Sequence, residues 1–156
     1  MKINFKTLIV SVLIPLAVGV VSGLLSMSGI RSFGELNMPP LSPPAFLFPI
    51  VWTLLYILMG ISSYLVVRTN GSGGAKTQAL TLYALQLVFN FFWSIIFFNL
   101  EWYGIAFIWI LILLALIIAT AVSFFKINKA AGLIMIPYIL WVTFAGYLNL
   151  GIAILN

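Results

Sequence analysis

The chain has 156 residues, 64% of them hydrophobic and only 6% charged, against about 25% charge in an ordinary soluble domain. So little polar surface cannot cover a fold in water, and a mean hydropathy of +1.26 predicts one domain, residues 1–156, dissolved in a bilayer. The chain has neither Cys nor His, which excludes disulfides, zinc–thiolate centres, redox thiols and imidazole chemistry. Its net charge of +5 is scattered over short loops and makes no basic stripe for nucleic acid.

A helix needs roughly 20 apolar residues to cross the hydrocarbon core. In chain order, apolar runs occupy residues 7–29, 46–67, 78–98, 104–125 and 132–155. Lipid admits only helices or closed barrels, and the runs lack strand alternation, so the expected fold is an all-α integral membrane protein with a bundle of five transmembrane helices. Lys2 and Lys6 precede the first run as in a signal peptide. That run outlasts the roughly 7–15 apolar residues of such a peptide, and no A-x-A site follows it. Between the first two runs lies a Pro-rich loop, residues 30–45, "IRSFGELNMPPLSPPA"; the later connections are "RTNGSGGAK", "NLEWY" and "KINKAAG".

Lys2, Lys6, Arg68, Lys76, Lys126 and Lys129 fall on one side of these spans, and Arg31, Glu35 and Glu101 on the other. The positive-inside rule therefore predicts a cytoplasmic N-terminus, with the Pro-rich loop and the C-terminus outside, in what is expected to be a bacterial cytoplasmic membrane. No charged residue sits mid-span. That argues against a proton-coupled carrier, which needs an ionisable group within the membrane, and removes the usual actors of acid–base catalysis. The expectation is a binding protein and not an enzyme, with no metal and no cofactor.

Three runs carry polar and aromatic stripes at helical spacing. The second has Trp52, Tyr56, Met59 and Ser63; the third has Gln86, Asn90, Trp93 and Phe97; the fifth has Pro137, Trp141, Ala145 and Leu148, with Asn149 beside them. Each stripe also has a plainer reading. Trp and Tyr favour membrane interfaces, as expected for Trp102 and Tyr103. Buried amides cross-link helices for about 0.6 kcal/mol on average. Gly19 and Gly23 read as a small-residue packing face. The fourth run, "GIAFIWILILLALIIATAVSFF", is nearly featureless and reads as a lipid-facing wall.

The stretches "PPLSPPAFLFPIVWTLLYILMG", "YALQLVFNFFWSIIFF" and "IPYILWVTFAGYLNLGIAILN" resemble the TspO/translocator protein family, the peripheral-type benzodiazepine receptors. The likeness runs from the first loop to the last residue. It implies a homodimeric five-helix bundle with a pocket toward the first loop, binding tetrapyrroles such as protoporphyrin IX and synthetic benzodiazepine-type ligands. Carried over by motif, the ligand-binding residues are Trp52 and Tyr56, Asn90 and Trp93, and Trp141, Ala145 and Leu148, with Phe33 and Pro44 from the loop. Some bacterial relatives promote light-driven porphyrin breakdown, and Trp52 and Trp141 match the tryptophans implicated there. The chain departs from the family's loop pattern at Ser32 and Leu41, where tryptophans usually stand, and at Met38, where a lysine does. No basic residue follows Tyr147, so the sterol motif is incomplete. Prolines at four of the six positions 39–44 fix φ before any ligand arrives. Residues 31–45 are accordingly expected to form a semi-rigid cap, with Phe33 and Pro44 inward.

Overall fold

The computed structural model describes residues 1–71 and 73–156; Ser72, in the "RTNGSGGAK" turn, lies outside them. Among the described residues the chain is helical, without strands: α1 (Phe5–Leu25), α2 (Met27–Ser32), a 3-10 turn (Phe33–Glu35), α3 (Leu47–Arg68), α4 (Gly73–Ser94) with a π turn (Ile95–Asn99), α5 (Tyr103–Ile127), α6 (Lys129–Ile134) and α7 (Ile136–Leu155). Five helical segments are long and apolar enough to cross a membrane: Phe5–Leu25, Leu47–Arg68, Gly73–Asn99, Tyr103–Ile127 and Lys129–Leu155. The protein is an all-α integral membrane protein.

The spans start and stop where side chains satisfy the backbone. Asn4 Oδ1 accepts the Thr7 N–H at 3.1 Å to open α1, and Asn99 Nδ2 donates to the Leu25 carbonyl at 2.8 Å to close it. Asn128 opens α6, its Oδ1 accepting from Ala131 N at 3.2 Å. Part of the Pro-rich connection is itself helical, because α2 and the 3-10 turn carry the chain as far as Glu35. The last span begins earlier than its hydropathy suggests, with α6, and turns at Met135 into α7.

Lipid tails are as apolar as leucine, so hydrophobicity does not drive one span onto another; close packing and hydrogen bonds do. Where α1 meets α3, a side chain at Gly60 would strike the Val12 backbone, and one at Gly19 would strike the Tyr56 ring. Ser62 Oγ donates to the Ala131 carbonyl at 2.6 Å, joining α3 to α6. Trp109 stacks on Phe89 at 4.4 Å and donates Nε1–H to the Phe89 carbonyl at 2.8 Å, joining α5 to α4.

The fourth span is more than a lipid-facing wall. Ala106, Ile110, Leu113, Ile117, Ala121 and Phe124 form a buried stripe along α5, which packs on α4 and α7. Of the five spans the most open to its surroundings is α1, with Ile9, Val10, Leu13 and Ile14 all exposed. An apolar residue facing protein and one facing lipid have the same chemistry, so hydropathy could not tell these helices apart.

Replacing Gly60 by Ala forces α1 away from α3 and is expected to cost roughly 1–3 kcal/mol, as overpacking does. Gly104→Ala, where nothing lies within 4 Å of the added carbon, should be neutral or slightly stabilising. Thermal melts of the two variants in detergent check the contrast.

Candidate functional site

The residues carrying the three stripes meet in the middle of the bundle, where a chain of hydrogen bonds ties them together. Tyr56 on α3 donates its hydroxyl to Asn90 Oδ1 at 2.7 Å. Asn90 on α4 donates Nδ2–H to the Tyr138 hydroxyl at 2.8 Å, and Tyr138 on α7 donates to Gln86 Oε1 at 2.7 Å. All four are buried, and each finds a hydrogen-bond partner within the run. A further node lies nearer the first loop. Trp93 Nε1–H donates to Asn149 Oδ1 at 3.1 Å, and Asn149 Nδ2–H to the Tyr103 carbonyl at 2.8 Å, linking α4, α7 and α5.

Above the Tyr56–Asn90 pair is a chamber of about 570 Å³, within the roughly 300–1,000 Å³ of small-molecule sites. Its inner walls are the buried Tyr56, Trp93, Phe97, Ala145, Leu148 and Asn149. Trp52 stacks on Tyr56 at 5.7 Å with 29° between the planes, and Trp93 on Phe97 at 5.1 Å with 25°. Several wall residues, Val20, Ile30, Arg31, Ala45, Pro49 and Thr53, are also exposed or partly so. They mark a mouth where α1 and α2 part from the start of α3.

Phe33, from the 3-10 turn, forms the roof. Its ring lies 5.9 Å from Phe48 and 5.7 Å from Phe98, in edge contact with both. Phe48 in turn meets Trp141 at 5.8 Å. Trp141 also borders a shallower apolar groove between α3 and α7, and its indole N–H is buried without a hydrogen-bond partner among the described residues.

The rest of the loop is held by the end of α7. Asn37 N–H donates to Asn156 Oδ1, and Asn156 Nδ2–H donates back to the Asn37 carbonyl, each at 3.0 Å. Tyr147 donates its hydroxyl to the Pro40 carbonyl at 2.7 Å. Pro39 is buried against Gly151, where a side chain would collide with its ring.

Of the residues singled out in the sequence, Phe33, Trp52, Tyr56, Trp93, Trp141, Ala145 and Leu148 border the chamber. Asn90 stands behind the wall, its amide engaged by Tyr56 and Tyr138. Pro44 is exposed and outside the lining, because Phe33 and Phe48 occupy the roof instead. Gly19 and Gly23, read as a packing face, both border the chamber, and no atom lies within 4 Å of a carbon added at Gly23. Helical spacing does not point to Phe98, because the π turn at 95–99 alters the repeat and turns both Phe97 and Phe98 inward. Tyr138, three residues before Trp141 and seven before Ala145, shares their side of α7, and only the structure shows that its hydroxyl joins the amides of α4. Arg31 has the sequence signature of an ordinary loop charge, and only its position at the chamber sets it apart.

The fold and its cavity define a class: a five-span helical membrane protein with an aromatic chamber under its first loop. The TspO/MBR family model matches residues 11–155. The chain is 37% identical over 117 residues to the tryptophan-rich sensory protein of Cereibacter sphaeroides, covering 75% of this chain and 72% of that one. It is 32% identical over 154 residues to the tryptophan-rich protein TspO of Archaeoglobus fulgidus, covering 98% and 99%. With the translocator protein of Bos taurus it shares 33% over 122 residues, 78% and 72% of the two chains. The chain belongs to the TspO/MBR family.

Asn156→Ala removes both bonds to Asn37 and is expected to speed amide exchange across residues 36–41, leaving α4 and α5 protected. Hydrogen exchange followed by mass spectrometry reads the difference.

Proposed function

We propose that this protein is a membrane receptor of the translocator type, related to transport, that binds a flat aromatic tetrapyrrole in the chamber under the first loop. Protoporphyrin IX is the candidate ligand. The observation that carries this reading is the convergence of the Trp52, Tyr56, Trp93 and Trp141 rings, from three helices, on the lining of one chamber. Ring faces from Trp52, Tyr56, Trp93 and Trp141 suit a planar π-system, at about 0.5–1.5 kcal/mol per well-placed pair beyond burial. The names of the relatives, a sensory protein and a translocator, support a receptor or transport role over catalysis. The homodimer, the outward-facing loop and the bacterial cytoplasmic membrane belong to the same proposal, supported by the resemblance and by the charge distribution.

An alternative reading has one observation in its favour. Trp52 and Trp141 both border the chamber, so a bound photosensitiser would touch two oxidisable indoles. Under that reading the protein is a light-dependent porphyrin-degrading scavenger. Illuminating the complex with protoporphyrin separates the two: product formation that Trp141→Phe abolishes, with binding retained, selects the scavenger.

Tryptophan fluorescence should be quenched saturably by micromolar protoporphyrin IX. Trp52→Ala should weaken binding roughly tenfold or more, as loss of a central aromatic anchor does, while Leu111→Ala on the exposed face of α5 should leave it unchanged. Absence of saturable quenching sinks the porphyrin reading. Haem is usually held by His, Cys, Met or Tyr, and the chain has no His or Cys. Metal-free porphyrin is therefore expected to bind more tightly than haem in parallel absorbance titrations.

A further inference from the structure

We propose that Arg31 anchors the anionic group of the chamber's ligand, so that the site takes a planar amphiphile with its aromatic body inside and a carboxylate at the mouth. This inference rests on the ligand-binding reading above and adds to it the polarity and direction in which the ligand enters.

Among the described residues, Arg31 is the one ionisable side chain other than tyrosine on the chamber lining. It is also the only basic residue between Lys6 and Arg68. Its place in the fold is decided by α2, which lies against the π turn: a side chain at Gly29 would strike the Phe98 backbone. That close fit seats the short helix and carries Arg31 at the rim of the chamber beside Ile30. Among the described residues the guanidinium has no carboxylate partner. Its Nη2 reaches Met27 Sδ, at 3.8 Å, a weak acceptor.

A cation without a counter-ion at the rim of an apolar cavity draws anions toward that cavity. A guanidinium offers a planar fork of donors that matches a carboxylate. The chamber below is aromatic, and its described lining supplies no other charge. A ligand that satisfies both regions has a broad ring system and an acid at one edge. A lipid phosphate presents related chemistry to the same fork, so the test has to distinguish a ligand carboxylate from a headgroup.

The experiment compares protoporphyrin IX with its uncharged dimethyl ester, titrated against wild type, Arg31→Gln and Arg31→Lys in maltoside detergent. Arg31 is exposed, so unchanged thermal melts will show that the variants are folded. Wild type is expected to prefer the acid. Arg31→Gln should lower acid affinity about three- to tenfold, the range of a partly exposed charge pair, and leave the ester unchanged. Arg31→Lys, which keeps the charge and loses the fork, should fall between. Equal binding of acid and ester by wild type, or an equal loss of both in Arg31→Gln, overturns the anchor and leaves the porphyrin reading standing. Binding of neither compound by wild type overturns that reading and this inference with it. Repeating the wild-type titrations in phosphatidylcholine nanodiscs separates the two anions. A preference for the acid that survives assigns Arg31 to the ligand, and one that vanishes assigns it to lipid phosphate and overturns the proposal.

Discussion

The bundle depends on one buried run of hydrogen bonds at its middle, Tyr56 to Asn90 to Tyr138 to Gln86. In lipid, apolar contact does not choose between partners or registers, so directional contacts choose. Each link of this run crosses between α4 and either α3 or α7, and every residue in it is buried. Slipping any of the three helices by a turn would strand a buried amide or hydroxyl. The same run fixes the Tyr56 ring under Trp52, and so determines the inner end of the chamber.

The chamber exists because helices held together at one level diverge at another. Gly60 lets α1 touch α3 near Val12, and Gly19 lets it touch Tyr56; past Gly23 the helices part, and α2 turns away over the π turn. The roof closes the gap with Phe33, which contacts Phe48 and Phe98. Its prolines are not all that fixes the path of the first loop. Asn156, Tyr147 and Gly151 hold Asn37, Pro40 and Pro39 against α7, so the second half of that helix positions the first loop.

Much of the site was legible because helical spacing puts Trp52 with Tyr56, Asn90 with Trp93, and Trp141 with Ala145 and Leu148 on common faces, whatever those faces meet. Spacing does not say what fills the last few ångströms. Asn90 is buried on that face, yet it lies one layer back from the cavity because Tyr56 and Tyr138 reach it first. Pro44 and Phe48 both stand near the start of α3, and the path of the loop brought the phenylalanine inward. Phe98 required the π turn, a local change of period that apolar residues do not announce.

From its residues alone the chain determined its solvent, its five spans, and the helical faces that bear aromatics and amides. Hydropathy and the 3.6-residue repeat follow from local chemistry, which needs no partner. Tertiary structure alone decided which faces meet and which see lipid, that α5 buries a stripe while α1 stays open, and that Arg31 stands at the rim of the chamber with no described counter-ion. Those outcomes depend on close approaches at Gly19, Gly29, Gly60 and Gly151, between residues far apart in the chain. An apolar sequence reads the same whether its neighbour is a helix or an acyl chain.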